Sequence, residues 1–125
     1  MKMLDANMIL RFLLCDNMDM SNTVKNLIEK YPVIITNEVV AEVVYVLSKV
    51  YNLERKKISS ALLSFLNIKH INPTEPDVVK TGLNLYSDYN LDFVDCILCA
   101  YHIECRYDIC TFDKKLLKLI KKFET

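Results

Sequence analysis

Glycine is almost missing from this chain, since Gly82 is the single glycine among 125 residues. Glycine-rich phosphate loops need several glycines at close spacing, because the backbone must approach the phosphate groups without a side chain in between. One glycine excludes every loop of this kind. The composition therefore argues against an enzyme that binds a nucleotide cofactor.

The sequence also lacks a net charge, a membrane-length apolar run and a recognisable leader. Sixteen basic and sixteen acidic residues cancel, so no global field attracts nucleic acid. The first residues do not show the basic, apolar and small-residue order of a signal peptide. With 52% hydrophobic and 26% charged residues, we expect one globular domain over residues 1–125. We further expect it to be cytoplasmic, with no membrane contact.

Histidine is scarce, and the five cysteines do not suggest a disulfide framework because their number is odd. Cys96 and Cys99 have the spacing of a redox or zinc pair, but they lie inside an apolar helical pattern without a second pair. We therefore predict that they pack in the core. His70 and His102 have no nucleophile context, so we predict packing or surface roles for them.

Apolar patterning predicts that strands and helices alternate along the chain. The predicted strands are residues 3–4, 33–36, 68–71 and 107–111, and the predicted helices are 7–14, 22–30, 38–50, 54–66, 74–89, 93–103 and a basic helix after residue 113. This order favours a parallel sheet with right-handed crossovers. We predict a three-layer α/β/α fold with a central parallel sheet of four to five strands, the fifth being very short.

Two aspartates open the most apolar helix, at residues 93–103. Asp92 and Asp95 are three residues apart and so lie on one helix face. Carboxylates at the start of a buried helix are unfavourable unless a cation or hydrogen-bond donors meet them. One interpretation is a metal site. The alternative is a helix start, with Asp92 as N-cap and Asp95 in a position like that of a capping box.

Acidic residues from distant parts of the chain are expected to meet at one edge of the sheet. Asp5 ends the first strand, Asp113 follows the fourth and would cap the last helix, and Glu42 and Asp95 lie near helix starts. In parallel sheets, functional residues gather beyond the carboxyl ends of the strands. A cluster of carboxylates without histidine suits Mg²⁺ or Mn²⁺ better than zinc. Such ions activate water for attack on phosphoryl groups.

The acidic residues lie in four stretches that resemble the four acidic motifs of the PIN-domain nucleases, and more narrowly those of VapC-type toxins. These stretches are residues 4–7 (LDAN), 39–44 (VVAEVV), 92–98 (DFVDCIL) and 111–115 (TFDKK). The resemblance implies a PIN-like fold and a Mg²⁺-dependent endoribonuclease that cuts RNA. It also implies a cognate VapB-type antitoxin that holds the enzyme inactive.

The same resemblance assigns roles to individual residues. It implies that Asp5, Asp95 and Asp113 are metal ligands and that Glu42 completes the catalytic cluster, directly or through water. We assign Asp92 mainly to capping, and the alternative is a role at the metal site without direct contact to the ion. Asn7 and Thr111 also match polar positions of the family, but each could equally cap or end its element.

Two further expectations concern partners. Lys114, Lys115 and Lys118 form a basic face beside Asp113, which is either a solvated helix face or a surface for the RNA backbone. We also expect a homodimer, because the family usually forms one and because helices between residues 22 and 66 carry more apolar residues than a small sheet needs.

Two other functional classes remain open at this point. A phosphatase of the haloacid-dehalogenase type also gathers acids around Mg²⁺, but it expects a second aspartate where this chain has Asn7. A non-catalytic PIN-like binding module would keep the fold without the chemistry.

Overall fold

The computed structural model describes residues 1–124, which form three short strands and seven helices. The strands are β1 (Lys2–Met3), β2 (Val33–Ile35) and β3 (Ile71–Pro73), and the helices are α1 (Ala6–Leu14), α2 (Met18–Lys30), α3 (Asn37–Lys49), α4 (Arg55–Leu66), α5 (Pro76–Asp88), α6 (Phe93–Cys105) and α7 (Lys114–Lys122). No helix within these residues is both long and apolar enough to cross a membrane.

The sheet is parallel, and its strand order is β1-β2-β3. Val33 of the central strand lies opposite Lys2 on one side and Ile71 on the other. Val33 and Ile35 are buried and Ile34, which points to the other face, is partly buried, so both faces of β2 are covered. The predicted α/β class with a parallel sheet is confirmed.

The number of strands is smaller than predicted. Residues 107–111, predicted as the fourth strand, form no strand, and no strand follows α7 within the described part of the chain. The chain turns at Arg106, which ends α6 in the left-handed conformation with φ of 59°. The carbonyl of Tyr107 then contacts the His102 ring nitrogen Nδ1 at 2.9 Å, and the Tyr107 ring stacks on Tyr101. These tertiary contacts override the local β propensity.

The third strand lies later in the chain than the predicted range 68–71. His70 has a positive φ of 77°, so residues before β3 form a turn and the strand begins at Ile71. The helix predicted from residue 74 begins accordingly at Pro76, whose missing N–H is tolerated in the first turn. Glu75, at its N-cap position, makes no capping bond there.

Two helix starts also differ from the prediction because of their caps. Asn17 Oδ1 accepts a hydrogen bond from the Met20 N–H at 3.0 Å, so α2 begins four residues earlier than the predicted residue 22. Thr36, rather than Asn37, caps α3, since its Oγ1 accepts from the Val39 N–H at 3.4 Å. Short polar side chains compete for capping positions, and the sequence does not rank neighbouring candidates.

Helices α5 and α6 approach each other closely at Gly82. A Cβ atom at this buried glycine would lie 2.6 Å from Cδ1 of Ile97 in α6. Cys96 and Cys99 of α6 are fully buried, and burial raises their pKa values to about 12 and about 11. Their thiols therefore stay protonated and pack as apolar groups, as predicted.

The guanidinium of Arg55, the first residue of α4, binds the end of α5 and the link to α6. Its Nη1 donates to the carbonyls of Tyr86 at 3.1 Å, Tyr89 at 2.9 Å and Leu91 at 2.7 Å. The same group lies 4.2 Å from the centre of the Tyr86 ring. One cation thus binds carbonyls in the last turn of α5 and just beyond it, where intrahelical donors run out. It also fixes the backbone immediately before Asp92.

We predict that Arg55→Met lowers the free energy of unfolding by about 3 kcal/mol, because hydrogen bonds from a charged donor are removed and partly buried carbonyls stay without partners. Urea unfolding of the parent and the variant measures the difference.

Lys56→Met is the matched control, because Lys56 is the next residue and its ammonium makes only an exposed ion pair with Asp88 at 3.8 Å. This control should change stability by less than about 1 kcal/mol. If Arg55→Met were no less stable than the control, the Arg55 contacts would not hold the α5–α6 link.

Candidate metal-binding site

Three of the acidic residues singled out in the sequence line one cavity of about 400 Å³, called the acidic cavity below. Asp92 and Asp95 come from the start of α6, and Asp113 comes from the residue before α7. The cavity is also lined by Asn90, Leu91, Lys114 and Lys115. Residues that are far apart in sequence therefore bring three carboxylates and two ammonium groups to one place.

The pKa of Asp95 is raised above its ordinary value. Burial is the largest cause, followed by the negative charges of Asp113 and Asp92. A carboxylate that accepts hydrogen bonds from backbone amides would show the opposite shift. Burial and neighbouring negative charge therefore both disfavour the ionised form of Asp95.

Asp92 and Asp113 differ in how they use their carboxylates. Asp92 occupies the predicted N-cap position of α6, but its side chain makes no capping hydrogen bond there. Asp113 does cap its helix, since its Oδ1 accepts from the Leu116 N–H at 2.9 Å. Thr111 supports this geometry, because its Oγ1 accepts from the Asp113 N–H at 3.0 Å. A carboxylate has further acceptor sites beyond one capping bond.

Asp5 and Glu42 do not line the acidic cavity. Asp5 follows β1 and caps α1, where its Oδ1 accepts from the Met8 N–H at 2.9 Å, and Asn7 is exposed in the first turn of that helix. Glu42 is exposed on α3. Its neighbour Ala41 does line a second cavity, of about 440 Å³, together with Asp92 and Asp95. The α3 surface near Glu42 thus reaches the start of α6.

The residues of the acidic cavity fit a hydrated Mg²⁺ or Mn²⁺ ion better than a closed metal cage. Within residues 1–124, no three His, Cys, Asp or Glu side chains are spaced to hold an ion by themselves. Mg²⁺, however, usually keeps several waters and binds the protein through one or two carboxylates. The donors present are carboxylate oxygens, and the mutual repulsion that raises the pKa of Asp95 is what a dication would relieve.

A polar network at the carboxyl edge of the sheet was not predicted. Asn37, after β2, donates from Nδ2 to Glu75 Oε1, after β3, at 3.1 Å, and the Tyr101 hydroxyl donates to the same oxygen. This bond raises the pKa of Tyr101, so the hydroxyl stays protonated. Among the described residues, the buried Asn37 Oδ1 has no hydrogen-bond partner. Functional residues of parallel sheets gather beyond the carboxyl ends of the strands. This rule, used above for Asp5 and Asp113, also applies to Asn37 and Glu75.

The basic face predicted on the last helix is present beside the acidic cavity. Lys114, Lys115 and Lys118 are all exposed on α7, and the first two line the cavity itself. The opposite face of α7 is buried through Leu116 and Leu119, so the helix is anchored while its lysines remain accessible. Anionic groups that approach the carboxylates would therefore meet these ammonium groups.

Comparison with known proteins identifies the family. The family model described as PIN domain matches residues 2–122 of the chain. No curated protein and no solved structure matches it. PIN domains are typically nucleases that act on nucleic acids and generally use divalent metal ions. Because the match covers nearly the whole sequence and the fold is an α/β fold with a parallel sheet, the chain belongs to the PIN domain family.

Proposed function

We propose that the chain is a Mg²⁺- or Mn²⁺-dependent endoribonuclease and the toxin of a VapBC-type toxin–antitoxin module. The observation that carries this proposal is the acidic cavity, where Asp95 and Asp113 lie with Asp92 next to Lys114 and Lys115. Carboxylates that gather a dication beside exposed ammonium groups suit a phosphodiester substrate. The family is one of nucleases, which argues against the phosphatase alternative.

In this proposal Asp95 and Asp113 bind the metal ion directly, and Asp92 contacts it through bound water. The ion, when bound, polarises a phosphoryl oxygen and makes a bound water more acidic. Lys114 and Lys115 bind the phosphates that flank the cut bond, and the helix that carries them stays fixed because Asp113 caps it.

The resemblance implies that Asp5 is a metal ligand and that Glu42 completes the catalytic cluster. Because neither residue lines the acidic cavity, we propose that both reach the ion through water. Two observations support this assignment. The capping bond of Asp5 uses one acceptor site of its carboxylate, and Glu42 is exposed next to the cavity that α3 shares with Asp92 and Asp95. Asn7 and Thr111 would orient the neighbouring acids Asp5 and Asp113 without binding the metal.

An apolar groove supports an antitoxin partner. It has a volume of about 840 Å³ and is lined mainly by α1, α2 and the link before β3, including Phe12, Met18, Ile28 and Ile68. Glu29 lines it together with Lys25 and Lys69, so a peptide with apolar residues would complement its surface, and only Glu29 of the lining residues could pair with an arginine of that peptide. We propose that a tail of this kind, from a VapB-type antitoxin, occupies the groove.

We predict that the purified chain cuts single-stranded RNA with Mg²⁺ or Mn²⁺, and that EDTA or Asp95→Asn abolishes cleavage. Asp95→Asn should also raise the melting temperature without metal, because one repelling charge is removed from the acidic cavity. This increase in melting temperature should be present near pH 7. It should vanish below the ordinary aspartate pKa, where Asp95 of the parent is as neutral as the asparagine of the variant. Mg²⁺ at 100 times its dissociation constant should stabilise the parent by about 2.7 kcal/mol and the variant much less.

Asp77→Asn is the matched control, since Asp77 is also an acid in the first turn of a helix but lies outside the acidic cavity. It should keep cleavage and the full Mg²⁺ response. If Mg²⁺ raised the melting temperatures of Asp95→Asn and Asp77→Asn by the same amount, Asp95 would not be a metal ligand. Failure of the parent to cut any RNA with either metal, despite binding a partner, would favour a non-catalytic module.

We predict that exchanging Lys114, Lys115 and Lys118 for glutamine weakens RNA binding and flattens its salt dependence. The log–log slope should fall by about 0.7 for each phosphate of a single strand that no longer has a lysine partner. Binding is measured in the Asp95→Asn background, so that the RNA stays intact. A triple exchange of the exposed Lys30, Lys56 and Lys57 removes the same charge elsewhere and should change the slope little. Equal slopes in both triple variants would show that α7 is only solvated.

We predict that the free chain is a homodimer at micromolar concentration, because the exposed Tyr45, Val50 and Tyr51 in and after α3 provide an apolar surface for this contact. Sedimentation velocity measures the mass of the free chain. A monomer at this concentration would contradict the dimer.

We predict that antitoxin binding is abolished in Met18→Lys, because that change places a charge in the apolar groove. Met1→Lys is the control, since Met1 is exposed and lies outside the groove, and it should bind like the parent. Titration calorimetry with the antitoxin measures both affinities. Tight binding by Met18→Lys would contradict the groove assignment.

A further inference from the structure

Two stacked tyrosines lie on the surface between α6 and α7. The ring centroids of Tyr101 and Tyr107 are 6.1 Å apart and their planes differ by 18°. Tyr107 is 58% exposed, whereas Tyr101 is partly buried. The pair therefore presents an aromatic surface to solvent instead of filling the core.

The Tyr101 ring is held by a hydrogen bond, and the Tyr107 ring is held by its backbone position and by stacking on Tyr101. The Tyr101 hydroxyl donates to Glu75, which is also bound by Asn37. On the other side, the carbonyl of Tyr107 contacts His102 Nδ1 at 2.9 Å. A flat group that stacked on Tyr107 would thus meet a ring whose orientation is already fixed, and little conformational freedom would be lost on binding.

The pair borders an open cavity of about 600 Å³ beside α6, the helix that also carries Asp95 of the acidic cavity. The cavity is lined by Leu98, Tyr101, Arg106, Tyr107, Asp108 and Ile109. Leu98 and Tyr101 follow Asp95 at successive intervals of three residues, so Leu98 is a helix-surface neighbour of both and connects the two positions. The rise from Asp95 to Tyr101 is about 9 Å, which is between two and three stacked nucleotide steps of about 3.4 Å.

The chemistry of the lining favours a nucleobase over a phosphate. Aromatic rings stack on the face of any base, and Leu98 and Ile109 add apolar surface. Arg106 offers a guanidinium, while the Asp108 carboxylate would repel a phosphate but accepts hydrogen bonds from the amino groups of bases. Bases within a duplex are stacked on each other, so only an unpaired base could reach Tyr107.

Resting on the nuclease function proposed above, we propose that Tyr107, supported by Tyr101, binds an unpaired nucleobase of single-stranded RNA within a few nucleotides of the bond that is cut at the acidic cavity. The substrate class is then RNA with an accessible loop or single-stranded segment. Stacking is not ionic, so its contribution is independent of that of the α7 lysines.

The test is binding of a single-stranded oligoribonucleotide that carries 2-aminopurine, measured by fluorescence in the Asp95→Asn background. Tyr107→Ala should weaken binding about tenfold and abolish the quenching that stacking causes, without changing the salt slope. Tyr107→Phe should bind like the parent, because the ring is retained. Tyr31→Ala removes another exposed tyrosine and should change nothing. If the alanine variant does not fold, Tyr107→Leu keeps the apolar bulk and answers the same question.

A cleavage assay separates this inference from the proposed function. It uses Tyr107 variants that keep Asp95, so that they can cut RNA. We expect Tyr107→Ala to cut single-stranded RNA with a raised KM and an unchanged Mg²⁺ requirement. If it bound and cut RNA as well as the parent, the stacking site would be refuted while the nuclease function stood. If neither protein cut RNA, the nuclease function would fail, and an unchanged affinity in Tyr107→Ala would refute the stacking site separately. A loss of binding to duplex RNA equal to that for single strands would also overturn the proposal.

Discussion

The position of the acidic cavity depends on one cation, the guanidinium of Arg55. It joins the start of α4 to three backbone carbonyls at the end of α5 and in the link to α6. Asp92 follows the last of these carbonyls directly, and Asp95 lies one turn further along α6. The close approach of α5 and α6 at Gly82 fixes the same helix from its side. Contacts that include no acidic residue therefore determine the positions of Asp92 and Asp95.

The acidic cavity opposes the stability that these contacts provide. Burial and like charges raise the pKa of Asp95, so its ionised form is unfavourable in the folded chain. Such groups persist where the surrounding structure holds them in place, and they cluster at functional sites. Lys114 and Lys115 relieve the repulsion only from the rim, because both are exposed to water, where charge interactions are screened. A bound cation is the more effective partner for these carboxylates.

Sequence reasoning succeeded where a residue acts through its own helix or strand. Apolar periodicity located the helices, Asp113 was identified as a cap, and the ordered acidic motifs indicated the PIN family. Sequence reasoning failed where the hydrogen-bond partner of a residue is distant in the chain or is a backbone group, which every residue has. The sequence does not show which backbone carbonyls bind Arg55. Asp92 is a residue type that often caps helices and it lies at the N-cap position, but its side chain makes no capping hydrogen bond. The contacts of Tyr107 with α6 likewise cannot be read from local β propensity, which predicted a strand there.

The small sheet leaves β1 as an edge strand, and its length determines how safe that edge is. An unpaired strand edge is a template on which other chains can aggregate, and proteins protect such edges by keeping them short or by placing lysine there. β1 has two residues, of which Lys2 is exposed and holds its ammonium 4.6 Å from the centre of the Tyr31 ring. Two residues offer too few backbone groups for a stable intermolecular ladder. The open sheet is thus protected against fibril formation by its own brevity.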